Sequence, residues 1–202
     1  MRKVFYAIVI CLMIASCTNS SKPAEGVNEA ALQNIMSRKS VRSYTSEPIP
    51  DEMVETLLHA GMAAPTAMNV QPWEFIVIND RDTLNKLAGA LKYAKMLEQA
   101  PLAIVVCAET MFPSRNSEPS ENRFWQHDAS AAAENILLAA EALGLGAVWT
   151  AACGDERADI VCETLGITGT VKPLCVIPVG FPAGDDQPKD KWKPEKIHYN
   201  HY

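Results

Sequence analysis

The chain has 202 residues, 48% of them hydrophobic and 21% charged, with a formal net charge of −6. That composition is ordinary for a globular protein, long enough for one sizeable core and too short to demand two domains. The acidic balance argues against non-specific nucleic-acid binding, which needs a net basic face.

The N-terminus reads as a separate object. Arg2 and Lys3 are its only charges, Val4 to Ile14 is an apolar run, and Ala15-Ser16-Cys17 follows. A basic start, a short apolar run and a small-residue stop form a secretory signal. The run is too short to span a bilayer as a permanent helix. Ile14-Ala15-Ser16-Cys17 resembles a bacterial lipobox, in which the cysteine is lipidated and becomes the new first residue. A plain signal peptide with a chance cysteine is the competing reading. Residues 1–16 are therefore expected to be a lipoprotein signal, 17–27 a flexible tether rich in Ser, Pro and Gly, and 28–202 the functional domain. Losing Arg2 and Lys3 with the signal takes the charge from −6 to −8. The expected location is exported, held to the bacterial envelope by the lipid alone.

Along the mature chain, Asn28 to Ser37 predicts a helix capped by Asn28, with Ala31, Leu32, Ile35 and Met36 on one face. Asp51 to about Met62 predicts a second. Trp73 to Ile78 predicts a strand closed by Asn79-Asp80. Asp82 to Leu91 predicts a short helix, and Leu102 to Ala108 a buried strand. Thr110 to Gln126 carries prolines, polar residues and then Phe124-Trp125, the pattern of a mobile lid. Ala129 to Leu143 predicts the strongest helix, capped by Asp128 and ended by Gly144. It is apolar on nearly every face, as in a core or an interface. A short strand over 147–150, a helix from Asp155 to Leu165 with Asp155 as its cap, and a strand from Leu174 to Val179 complete the pattern. Strict βαβ alternation is absent, so an α+β fold around a small, mostly antiparallel sheet is expected.

Two segments carry the chemistry. Arg38-Lys39-Ser40-Val41-Arg42 places guanidinium groups and a hydroxyl together, which suits phosphate oxygens. Pro65, Thr66, Asn69, Gln71 and Pro72 stiffen and decorate a helix-to-strand loop with amides. Amide side chains both donate and accept, as the polar edge of a flat heterocycle requires. A solvated basic turn and a polar turn before a strand are the competing readings. Cys107, Cys153, Cys162 and Cys175 form no Cys-x-x-Cys pair, so buried free thiols are expected rather than zinc. His59, His127, His198 and His201 have no carboxylate partner at readable spacing, so none is expected to act as a catalytic acid.

Four segments in order resemble the FMN-dependent nitroreductase family: Arg38 to Arg42, Pro65 to Trp73, Asp128 to Ala140 followed by Gly144 to Trp149, and Val179-Gly180-Phe181-Pro182. The resemblance runs from about Asn28 to the C-terminus. It implies a homodimer with FMN across the interface and the long helix at the dimer core. Arg38, Lys39, Ser40 and Arg42 would form the phosphate end, joined by Lys191 where the family more often has Arg. Pro65, Thr66 and Asn69 would approach the flavin from the partner, and Gln71 would shape that loop. Val148, Trp149 and Thr150 would pass the ring's other side by backbone. Phe124 and Trp125 are lid candidates. No side chain is expected to act covalently, because the chemistry belongs to the cofactor. The implied activity is NAD(P)H-driven reduction of nitroaromatic, quinone or similar flat acceptors. Alternatives are a surface flavin-binding or sensing protein without turnover, or a reductive dehalogenase. The dehalogenase lid uses Glu, Tyr and Lys, and residues 111–127 contain no Tyr or Lys. Mass spectrometry of the exported protein is expected to find residues 1–16 missing and acyl mass on Cys17; an intact Met1 would refute it.

Overall fold

A computed structural model describes residues 28–112 and 118–202. The expected signal, Cys17 and the tether through residue 27 lie outside the described residues, as do residues 113–117 of the expected lid. Among the described residues, five α-helices and seven strands follow in chain order. Helix α1 is Glu29–Ser37 and α2 is Asp51–Met62; strand β1 is Trp73–Ile78, α3 is Arg81–Ala90 and β2 is Leu102–Glu109. A hairpin of β3, Met111–Phe112, and β4, Ser120–Glu121, precedes α4, Trp125–Ala142. Then come β5, Gly146–Ala147, β6, Thr150–Ala151, α5, Asp155–Leu165, and β7, Val171–Gly180.

The main sheet has the order β1-β2-β7-β5, with β6 also on β7, and every pairing is antiparallel. The fold is α+β. Strand β2 is buried from Leu102 to Ala108 because helices cover both faces. On one face, Ile104, Val106, Ala108 and Ile177 pack with Leu57 of α2 and Ala129, Ala133, Ile136, Leu137 and Ala140 of α4. On the other, Val105, Cys107 and Val176 pack with Leu84 and Leu87 of α3 and Val161 of α5. Alternation along the strands sends successive residues to opposite cores. Alanines on α4 let its backbone lie close to the sheet. Asn135 Nδ2 donates to Ala60 O at 2.9 Å and ties α4 to the end of α2.

Two expected caps are corrected. Helix α4 starts at Trp125, before the expected Ala129, and Asp128 lies inside its first turn. Asn122 prepares the start instead, its Oδ1 accepting from the Phe124 N–H at 3.0 Å. Helix α5 follows Gly154, whose φ of 74° suits a residue without Cβ, and Asp155 is its first helical residue. The expected strand over 147–150 is split into β5 and β6, with Val148 and Trp149 between them.

The four described cysteines are free thiols. Burial pushes the Cys107 thiol up to about 12, with Cys162 and Glu74 adding to it. Burial likewise raises Cys175 well above its ordinary value.

The stretch between α1 and α2 is stapled to the sheet end. Val41 N–H donates to Ala147 O at 3.0 Å, and Thr45 N–H to Phe181 O at 2.9 Å. Ala183 N–H returns a bond to Ser43 O at 3.0 Å. The Tyr44 hydroxyl donates to Val41 O at 2.7 Å. Val41 is buried against Gly146, where an added Cβ would lie 2.6 Å from Val41 Cγ1. Gly146→Ala is therefore expected to destabilise the chain by about 1–3 kcal/mol through overpacking. Gly89→Ala, in the helix α3 with open space around it, is expected to stabilise by about 0.4–1 kcal/mol. Denaturant titration of both variants checks the contrast.

Candidate functional site

Helix α1 ends at Ser37, with Arg38 as its C-cap. The partial negative charge of a helix C-terminus favours a cation there. Arg38 Nε lies 3.1 Å from Glu134 Oε1, and Lys39 Nζ donates to both Glu141 carboxylate oxygens at 3.1 and 3.2 Å. Asn34 Nδ2 donates to Leu138 O at 2.9 Å. Three polar contacts thus dock α1 on α4, and the ammonium of Lys39 is turned onto Glu141. Lys39 therefore serves the α1–α4 contact.

Arg42 is exposed, and among the described residues it makes only a long 3.4 Å bond from Nη1 to Ser40 O, so its fork of donors faces solvent. Arg38 and Lys191 line one groove of about 630 Å³ together with Ile35, Met36, Lys189 and Trp192. The structure thus brings Lys191, distant in sequence, beside the basic segment. Val41's bond to Ala147 sets the same segment next to Val148. Val148 is buried, Trp149 packs against the α4-side core, and the buried Thr150 hydroxyl donates to Val176 O. Burial raises the Tyr44 phenol far above its usual range, against the lowering pull of Arg42, so it stays neutral.

The amide loop sits elsewhere. Pro65 is exposed and Thr66 half-buried. Met68, Asn69 and Gln71 have φ of 52°, 54° and 50°, the left-handed region that is costly for residues with a Cβ. Thr66 Oγ1 accepts from the Gln71 N–H at 3.0 Å and closes the loop. Buried Asp128 accepts from the Ala67 N–H through Oδ1 at 2.9 Å. The side chains of Asn69 and Gln71 remain exposed. Gln71, Pro72, Met111 and Phe112 help line a cavity of about 540 Å³ under the β3–β4 hairpin. Glu109 lies in its wall, holding the Met111 N–H and the Thr170 hydroxyl at 2.8 Å each.

Of the two lid candidates, Trp125 belongs to α4 and packs against the core, whereas Phe124 is 48% exposed. Loop and basic segment line separate grooves, and the structure does not join them within one chain. Residues that sequence reasoning missed are Asp128 in its real role, Glu134 and Glu141 as partners of the basic segment, and Lys92. Lys92 and Arg157 share a narrow cleft with Thr150 and Ala151, and Lys92 Nζ lies 5.3 Å from the Tyr93 ring centre. No local pattern marks a lone lysine after a helix, so only the fold reveals it.

The donor set fits an FMN: cations and a hydroxyl for the phosphate, and outward amides for the ring edge. Comparison with known proteins agrees. The profile described as Nitroreductase family matches residues 35–92 and 88–181. A protein of Archaeoglobus fulgidus named "Putative NADH dehydrogenase/NAD(P)H nitroreductase" is 40% identical over 174 residues, 84% of this chain and 97% of the relative. A crystal structure of a Bacteroides thetaiotaomicron protein of the same name is 48% identical, with a TM-score of 0.80 over 87% of this chain and all of that one. The structure of an FMN-dependent nitroreductase from Clostridium difficile is 28% identical, with a TM-score of 0.76 over 85% of this chain and 99% of that one.

Arg42→Ala is expected to weaken FMN binding by about 1.5–3 kcal/mol, roughly ten- to a hundredfold, the worth of a hydrogen bond to a charged group. Riboflavin lacks the phosphate, so its affinity should be unchanged. Lys39→Ala should leave both affinities within about threefold, since its charge is spent on Glu141. Fluorescence titration of each variant reads the difference.

Proposed function

The chain belongs to the nitroreductase family, and on that premise we propose that two copies of it build a shared site and pass electrons from NAD(P)H to flat aromatic acceptors. The chain is an FMN-dependent oxidoreductase. FMN, when bound, would supply the redox chemistry, and the chain's own residues would hold and orient it.

The protein's residues bind and orient. Arg42, the Ser40 hydroxyl and Lys191 hold the phosphate, joined by the terminal nitrogens of Arg38, whose Nε is paired with Glu134. Val148, Trp149 and Thr150 run along one side of the ring. Pro65, Thr66, Asn69 and the loop shaped by Gln71 come from the other subunit, with Phe124 at the lid. The observation that carries this reading is the separation of two halves. One chain presents the basic segment and the amide loop in different grooves, which supports a ligand lying between two chains.

Exposed apolar surface supports the pairing. Leu32, Ile35 and Met36 of α1 are 51%, 53% and 73% exposed, although their spacing marks a face built for burial. Trp192, Tyr199 and Tyr202 of the C-terminal tail are exposed too. Such patches mark protein contact surfaces. The cavity under the β3–β4 hairpin has the size of a small-molecule site and would admit a nitroaromatic or quinone beside the loop. The lipobox-like sequence at Cys17 supports anchoring of this dimer to the bacterial envelope.

Donor and acceptor use one flavin in turn, so ping-pong kinetics with parallel double-reciprocal lines are expected. Protein reduced by NAD(P)H or dithionite should be reoxidised anaerobically by a nitroaromatic or quinone faster than free reduced FMN. No such acceleration would refute the reductase reading and favour a binding protein. Ile35→Glu, on the exposed face of α1, should shift light scattering from dimer to monomer and release flavin with it. A wild-type monomer that retains flavin would refute the shared site.

A further inference from the structure

We propose that Asp128 is a positioning residue that sets the flavin-facing loop through the Ala67 N–H. The proposal rests on the reading above that residues 65–71 lie against FMN.

Four observations converge on it. Asp128 is only 4% exposed, so its carboxylate has left water. Its Oδ1 reaches across the fold to the Ala67 backbone, 61 residues away in sequence. Its Oδ2 is buried and finds no hydrogen-bond partner among the described residues. The loop it holds has three left-handed residues with side chains, Met68, Asn69 and Gln71.

The physical argument follows from cost. A buried carboxylate with one oxygen unpaired is an expensive anchor. Its charge is eased by the first turn of α4, where partial positive charge gathers. In return it makes a charge-assisted bond, about twice as strong as a neutral one. A loop with strained backbone relaxes unless its surroundings over-determine it. Internal bonds, from Asn69 N–H to Thr66 O and Val70 N–H to Ala67 O, only fold the loop on itself. Asp128 ties that folded loop to the rigid central helix. The amides of Asn69 and Gln71 are then set before a ligand arrives, which saves the ordering cost of binding.

The test uses the whole chain with Asp128→Ala, Asp128→Asn and Asn69→Ala. In flavin-free protein, amide hydrogen exchange at Ala67 should quicken about tenfold or more in Asp128→Ala. Asp128→Asn keeps an acceptor oxygen and should stay within about threefold of wild type. Exchange in strand β2 should not change in either. FMN and riboflavin affinities should fall by the same factor in Asp128→Ala, about tenfold, because the loop meets the ring and not the phosphate. Unchanged Ala67 exchange in Asp128→Ala overturns the proposal, as does an Asp128→Asn variant that loosens Ala67 equally. If Asn69→Ala weakens both flavins and Asp128→Ala weakens neither, positioning is refuted while the loop reading stands. If Asn69→Ala leaves both affinities unchanged, the loop reading itself fails, and the proposal falls with it.

Discussion

Everything in this fold hangs on β2 being buried on both faces. A strand with no solvent face requires a covering layer on each side and a paired strand on each edge. Strands β1 and β7 supply the edges, α2 and α4 one layer, α3 and α5 the other. Each fully buried Leu, Ile or Val contributes about 1.5–3 kcal/mol, so the two cores outweigh any single polar contact on the surface. The register between β2 and β7 shifts between Val106 and Cys107, which bends the pair without opening it. The functional segments are then hung on the ends of this slab. The basic segment joins where β5 and β7 finish, and the amide loop joins where β1 begins.

That arrangement explains the chemistry of the charged residues better than their sequence neighbourhood does. Within five consecutive residues, Arg38 and Lys39 face carboxylates of α4 while Arg42 faces solvent. Val41, buried against Gly146, is the pivot that separates these directions. A single small residue on β5 thereby fixes the neighbour of Arg42, the arginine proposed to meet a phosphate. Helix α4 serves both sides of the site: Glu134 and Glu141 steady the basic segment, and its first turn steadies the loop.

Much of the skeleton was legible beforehand. Asn28 caps α1, β1 runs over the expected residues, and Gly166 in the left-handed region ends α5. These are local signals, carried by capping chemistry and by β-branched and aromatic runs. The misreadings were non-local. An aspartate just before an alanine-rich stretch has the pattern of an N-cap, yet here helix begins earlier and the carboxylate is claimed by Ala67. Leu32, Ile35 and Met36 share one face of α1, yet among the described residues that face stays exposed. Lys39 looks like a phosphate ligand until Glu141, 102 residues on, is brought beside it. The Lys92 cleft and the split of the 147–150 strand depend on contacts of the same kind, which leave no periodicity to read.

The buried thiols have a consequence of a different sort. An enzyme that handles electrons works where oxygen and disulfides compete for them, and a cysteine enters that traffic only as its thiolate. Desolvation keeps Cys107 and Cys175 protonated at any physiological pH. They are slow nucleophiles toward peroxide and toward small disulfides alike. The core thiols therefore resist conversion to disulfides, the form that would draw reducing equivalents inward. The interior sulfur is thus shielded from oxidants, which meet the protein first at the surface where the two grooves lie.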